Sequence, residues 1–245
     1  MTDRQDDRHQ FSEGEGFDDP YEGFDIDPPE LAVDPDQVDP VDSHVLIDLL
    51  DERHVGEGDV DADSLIDVGL NYMGINRHEQ AADAFERAAH FTDDELRAQE
   101  AWVNKGVAHA ELEEWNAAVD AARAALNRDA EGFAGDAQTN LAYALWQRGE
   151  TEEAYHHAEE AVRQDERLPQ AWYNLGFMEN EQGRHEEARD ALDNAIRLGF
   201  KQADVYEEKA RALDELGEEE EAQEAAEQAE EIRERTEQRM VDGQR

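Results

Sequence analysis

Ala81, Ala118, Ala154, Ala188 and Ala222 recur at separations of 37, 36, 34 and 34 residues, and this recurrence constrains the fold more than any other feature of the chain. A second alanine follows each of them seven places later, at Ala88, Ala125, Ala161, Ala195 and Ala229. Self-similarity at a period near 34 is the mark of a helical unit repeated along the chain. One such unit cannot bury its own apolar face, so its stability comes from stacking on its neighbours.

Aligned on the alanines, the units are 62–95, 99–132, 135–168, 169–202 and 203–236, each with two apolar stretches separated by polar residues. Gly149, Gly183 and Gly217 fall at the break in the last three units, where a helix ends most cheaply on glycine. Gly69, Gly106, Ala142, Gly176 and Ala210 share one place on the first helix. Small residues there let two helix axes approach to about 8 Å. Leu65, Tyr72, Phe85, Trp102, Leu141, Trp172 and Leu192 are the larger residues expected to fill the remaining space.

The unit 169–202 contains Trp172-x-x-Leu175-Gly176, then Gly183, then Ala188-x-x-x-Leu192-x-x-Ala195. That pattern resembles the tetratricopeptide repeat, or TPR. The resemblance extends over residues 62–236, about 70% of the chain. It implies an all-α, right-handed superhelix (an α-solenoid) of about five helix-turn-helix repeats, whose first helices line a concave groove used for protein–protein interaction. Lys105, Gln138 and Glu179 depart from the family, standing where Leu, Trp and Tyr are usual. Extra residues after the first and second units predict longer turns there. The Glu-rich stretch 218–234 suits a terminal repeat, which needs a polar outer face.

The net charge is −44, from 66 acidic and 22 basic residues, and Lys105, Lys201 and Lys209 are the only lysines. Self-repulsion on this scale opposes a compact fold, but at molar salt the Debye length falls to about 3 Å. The acid-rich, lysine-poor composition resembles that of proteins from salt-accumulating archaea. It disfavours nucleic acid, which requires a basic patch, and anionic membrane surfaces. The absence of cysteine removes disulfides, thiolate zinc sites and cysteine nucleophiles. The N-terminus lacks the apolar core of a signal peptide, and no apolar run is long enough to span a membrane. A cytoplasmic protein is expected.

Residues 1–40 are rich in Asp and Glu and hold all but one of the six prolines, so a disordered acidic tail is expected. Phe17 and Phe24 lie there in two short acidic echoes, either as docking motifs or as incidental aromatics in a solvated tail. Residues 41–61 read as a docking helix and linker: Ser43 is a cap, and Val45, Leu46, Leu49 and Leu50 form an apolar stripe. Residues 237–245 are expected to form a C-terminal tail.

The resemblance places Asn104, Asn140 and Asn174 at one groove-facing position of three consecutive units. An amide side chain offers one acceptor and two donors, matching a peptide group. These asparagines therefore either grip the backbone of an extended peptide or support the local helix fold. Val103, Val107, Tyr143, Trp146, Tyr173 and Phe177 occupy other groove positions, either as anchors for a partner's side chains or as packing between units. Residues Ile66, Asn104, Asp136 and Gln170 stand where cochaperone TPR domains carry their basic clamp, and Arg211 is the one basic groove candidate of the last unit. An acidic-tail ligand is therefore not expected.

No catalytic residues, metal ligands or cofactor are expected. Carboxylates are abundant everywhere, and the sequence lacks a phosphate-binding glycine loop, a nucleophile elbow and a zinc-protease motif. His78 and His185 share a repeat position and read, with His109, as packing residues; His156 and His157 are adjacent and point apart on a helix. The function expected is that of an adaptor or assembly scaffold binding an extended peptide. The alternatives are a self-associating homo-oligomer and a groove closed by the chain's own tail.

Overall fold

The apolar periodicity is realised as helices throughout. The structure is a computed structural model and describes residues 61–243 apart from 129 and 131, with side chains as far as residue 240. The acidic tail with Phe17 and Phe24, the docking helix and most of its linker lie outside the described residues.

The helices are α1 (Ala62–Gly74), α2 (His78–Phe91), α3 (Glu95–Glu111), α4 (Trp115–Leu126), α5 (Ala134–Gln147), α6 (Thr151–Gln164), α7 (Pro169–Glu181), α8 (His185–Arg197), α9 (Ala203–Glu215) and α10 (Glu219–Gly243). They form five successive pairs. Each first helix packs on its second helix and also touches the first helix of the next pair. The result is an all-α solenoid.

Every pair turns in the same way. Asn76, Glu113, Gly149, Gly183 and Gly217 occupy the same place in their units, and all have positive φ, between 57° and 83°. One residue later a backbone N–H donates to the carbonyl five positions back, as in Arg77 to Tyr72 and Arg184 to Glu179, both at 2.9 Å. This is the Schellman closure of a helix end. Glycine adopts it without strain, whereas Asn76 and Glu113 carry a Cβ into the left-handed region.

The repeated alanines are the core. Ala81, Ala88, Ala125, Ala154, Ala161, Ala188 and Ala195 are completely buried. A Cβ built on Gly69 would lie 2.4 Å from the Phe85 ring, and one on Gly176 would lie 2.8 Å from Leu192 Cγ. The same atom on Gly106 would meet nothing nearer than 3.6 Å. The shared small-residue position is thus sterically required in two units and only convenient in the second.

The extra residues are used differently at the two junctions. Those after the first unit do not lengthen the turn, as the sequence suggests, but prolong α3 to 17 residues against 13 in α1. Asp94 makes this possible, because its carboxylate accepts the N–H groups of Leu96 and Arg97 and starts the helix early. After the second unit a longer connection does occur, over 127–133. The side chain of Gln99, almost wholly buried, holds it in place. Its amide donates to the carbonyls of Ala125 and Ala130, at 3.3 and 2.9 Å, and its oxygen accepts the N–H of Phe133 at 2.9 Å.

The three departures from the family pattern each have local company. Lys105 pairs with Glu86 at 2.9 Å and lies over the Trp102 ring. Gln138 accepts from Nδ1 of His157 at 2.6 Å. Glu179 is buried close to Tyr155 and Arg184, and its acidity is weakened to a pKa of about 7, first by loss of water and then by Glu187 and Glu159, with Arg184 opposing. At the C-terminal end, α10 buries Ala222, Ala225 and Ala229 and exposes its carboxylates, as a terminal repeat must.

Candidate functional site

First helices supply the site because each lies against the next along one face of the solenoid, leaving residues a repeat apart in neighbouring positions. On that face a cleft of about 270 Å³ is lined by residues of α3, α5 and α7 alone. Val107, Asn140, Tyr143 and Asn174, four of the groove residues expected from the sequence, line it together. Thr139, Gln170 and Glu111 also line it and were not singled out as ligand contacts.

The amides follow a rule. Nδ2 of Asn174 donates to the carbonyl of Thr139, and Nδ2 of Asn140 donates to the carbonyl of Val103, each at 3.4 Å. Thr139 and Val103 hold equivalent places in their units, so each asparagine reaches the preceding repeat in the same manner. The bonds are longer than the usual 2.7–3.2 Å and correspondingly weak. Asn174 is buried and accepts from Nε2 of Gln170 at 3.1 Å, while Asn140 is half-buried. Each amide keeps hydrogen-bonding capacity beyond these contacts, since it has two donors and an acceptor with two lone pairs. Asn104 is half-buried and does not line the cleft.

The apolar candidates divide into two groups. Tyr143 is 42% exposed, with its ring edge-on to Trp115 at a centroid distance of 5.8 Å. Val107 is half-buried beside it in the cleft. Val103 is buried against Ala125 and Ala137. Trp146 and Phe177 meet edge-on at 5.4 Å and pack against the central core, and Tyr173 lies 5.6 Å from Phe200 against the core of the fourth and fifth repeats. These last three are half-buried. Burial raises the Tyr173 hydroxyl to a pKa of about 12, so it remains a neutral donor.

The electrostatics are one-sided. Arg211 is bound by Glu181 at 2.6 Å and Glu208 at 2.7 Å and lies over the Phe177 ring. Asp136 has its acidity weakened by burial. Among the described residues, no group of three or more His, Asp and Glu side chains converges on a metal site. The histidines make local contacts instead: His78 with Met73 at 3.5 Å, His109 with Glu114 at 2.7 Å and His185 with Asn180 at 3.3 Å. No helix among the described residues is long and apolar enough to cross a membrane.

Comparison with known proteins agrees with this architecture. One tetratricopeptide-repeat family model matches residues 139–202, and a second matches residues 203–236. No curated protein matches the chain. Among solved structures, the chain is similar to PilF of Pseudomonas aeruginosa, at 24% identity and a TM-score of 0.60, covering 69% of this chain and 75% of that one. It is similar to MamA, at 18% identity and a TM-score of 0.54, covering 70% and 97%. YrrB, described as a TPR protein with an unusual peptide-binding site, is similar at 21% identity and a TM-score of 0.52, covering 74% and 91%. Stacked helical hairpins of this kind define an α-solenoid. Residues 139–236 of this one match tetratricopeptide-repeat models, and the fold is that of a TPR superhelix.

Proposed function

We propose that this protein is an interaction adaptor, not an enzyme, and that it holds an extended peptide segment of a partner protein across its second to fourth repeats. The observation that carries the reading is the cleft itself, where an exposed aromatic ring and Val107 stand beside the paired amides of Asn140 and Asn174. The ring and valine offer apolar contact, and the amides offer hydrogen bonds to a peptide backbone, each contributing about 0.5–1.5 kcal/mol net. Val103, Trp146, Tyr173 and Phe177 belong to the same proposed groove by repeat position, and Asn104 continues the amide row in the same way. The similarity to YrrB adds the precedent of a peptide site on this fold. The absence of a free basic clamp argues against an acidic peptide.

The test is selection of random displayed peptides on the full chain in about 2 M KCl, where surface repulsion is screened. The affinity of a selected peptide is then measured by fluorescence anisotropy. Replacing Asn140 and Asn174 together by alanine is expected to weaken it about tenfold or more, two lost bonds at about 1 kcal/mol each. Tyr143→Ala is expected to do likewise, and Asn104→Ala much less. Unchanged affinity in the double variant, with helicity retained, would sink the groove reading.

A second reading has its own observation. Val68 and Ile75, seven residues apart on and just after α1 and so on one side of it, are 43% and 62% exposed at the first repeat. Self-association through them predicts a mass in solution that rises with protein concentration, and a constant monomer mass removes this reading.

A further inference from the structure

The cleft has a sign. Glu111 is the charged residue among those lining it, and its carboxylate is exposed at the last position of α3. No cation pairs with it among the described residues. Lys105 is engaged by Glu86, Arg148 by Glu150, and Arg211 by Glu181 and Glu208. The negative end of the α3 dipole lies on the same side, although the carbonyls of His109 and Ala110 there are already taken up by the N–H groups of Leu112, Glu113 and Glu114. The net charge of −44 draws cationic segments toward the surface as a whole, and at this cleft the charge adjoins the exposed Tyr143 ring and Val107.

From this, and resting on the peptide-groove reading above, we infer that the segment held in the cleft carries a lysine or arginine beside its apolar anchor. The cation meets the carboxylate of Glu111 while the anchor packs on Val107 and Tyr143. An ammonium or guanidinium placed there makes a charge-assisted hydrogen bond and displaces no internal ion pair. A carboxylate in the same place would face Glu111 and the helix end. The partner class is therefore a protein with an extended basic–apolar segment, and the selectivity belongs to a residue at the rim, outside the amide row.

The experiment uses the full chain, immobilised, and a library of random peptides blocked at both ends. Peptides of about nine residues span about 30 Å when extended, enough to cross three first helices about 10 Å apart. Selection is run at the lowest KCl concentration at which circular dichroism shows the folded chain, so that contact electrostatics remain visible. Parent, Glu111→Gln and Tyr143→Ala proteins are compared. The expected result is enrichment of Lys and Arg at one position, about fivefold over the input for the parent, as a roughly tenfold affinity preference would give. That enrichment disappears with Glu111→Gln while the apolar preference persists, and recovery of all peptides falls with Tyr143→Ala. Apolar preference without basic enrichment in the parent, or the same enrichment with Glu111→Gln, overturns the charge assignment and leaves the groove standing. Equal recovery by parent and Tyr143→Ala, or no position-specific selection at all, overturns the groove and this inference with it.

Discussion

Two buried polar residues show how much a single side chain decides in this array. Gln99 satisfies two carbonyls and one N–H of the 127–133 connection and of the end of α4. Buried polar groups left without partners cost about 1–3 kcal/mol each. Gln99→Ala is therefore expected to lower unfolding stability by about 2–4 kcal/mol, read from urea melts, and a loss below about 0.5 kcal/mol would show that the connection does not depend on it. Glu179 acts in the opposite sense. Burial raises its pKa from the ordinary 4.5 to about 7, so the folded chain holds the proton more tightly than the unfolded chain does. Its contribution is therefore most favourable below about pH 4.5 and is lost as pH rises through about 7. Glu179→Gln is expected to gain stability relative to the parent by on the order of 1–3 kcal/mol between pH 5 and pH 8. The melting temperatures of the two proteins across that range provide the measurement, and parallel pH curves would show that the carboxyl is ordinary. Neither role is legible from repeat position. Gln99 bonds to backbone atoms, which carry no residue identity, and the burial of Glu179 depends on neighbours in other helices. The same holds for Asn180, buried and donating to the carbonyl and carboxylate of Glu208.

At the scale of helices, the sequence is most informative where geometry repeats. The alanine positions, the small-residue crossing and the left-handed turn return in unit after unit, and each is dictated by contacts a single unit makes with itself or its neighbour. Prediction from alignment fails where units solve a problem individually, as when Asp94 starts α3 early. The groove was legible only in part for the same reason. Asn140, Asn174, Val107 and Tyr143 share positions with their counterparts, whereas Glu111, Thr139 and Gln170 reach the cleft through the stacking of three different helices. Two comparisons test the element geometry. Gly69→Ala forces a methyl group into the Phe85 ring and is expected to cost about 1–3 kcal/mol as overpacking. Gly106→Ala finds room and gains up to about 1 kcal/mol from helix propensity. Equal losses for the two would show that the crossing distance is the same in both units. In the turn, Glu113→Gly relieves a left-handed Cβ at φ 59° and is expected to stabilise by about 0.5–1 kcal/mol in thermal melts. Loss of stability would place the cost of glycine's unfolded-state freedom above that of the strain.

Charge acts on the whole molecule. Among the described residues, several cations join carboxylates of a neighbouring helix, such as Arg97 with Asp63 at 2.8 Å and Arg123 with Glu153 at 2.9 Å. Exposed pairs of this kind contribute about 0–1 kcal/mol each, which is small against the repulsion implied by 66 acids and 22 bases on 245 residues. Burial is also modest in kind: much of the core is alanine, which brings backbones close but removes little apolar area per residue. Stability is therefore expected to depend on screening. In dilute buffer the Debye length is about 30 Å at 0.01 M and carboxylates on neighbouring repeats repel one another; at 1 M it is about 3 Å and they do not. The melting temperature is expected to rise steeply between about 0.1 M and 2 M KCl. A neutral osmolyte such as sucrose strengthens burial without screening and is expected to reproduce only a small part of that rise. If sucrose matches KCl, exclusion of solute from the surface, and not relief of repulsion, sustains the array. If neither matters, the acidic surface is no burden to the fold, and the protein would be at home in ordinary salt. The same titration bears on binding. Repulsion spread over all five repeats weakens every interface between neighbours, so loss of salt is expected to loosen the stacking of α3, α5 and α7 and with it the cleft they form, before helicity is lost. Peptide affinity falling at higher KCl than the far-ultraviolet signal would reveal that order of events.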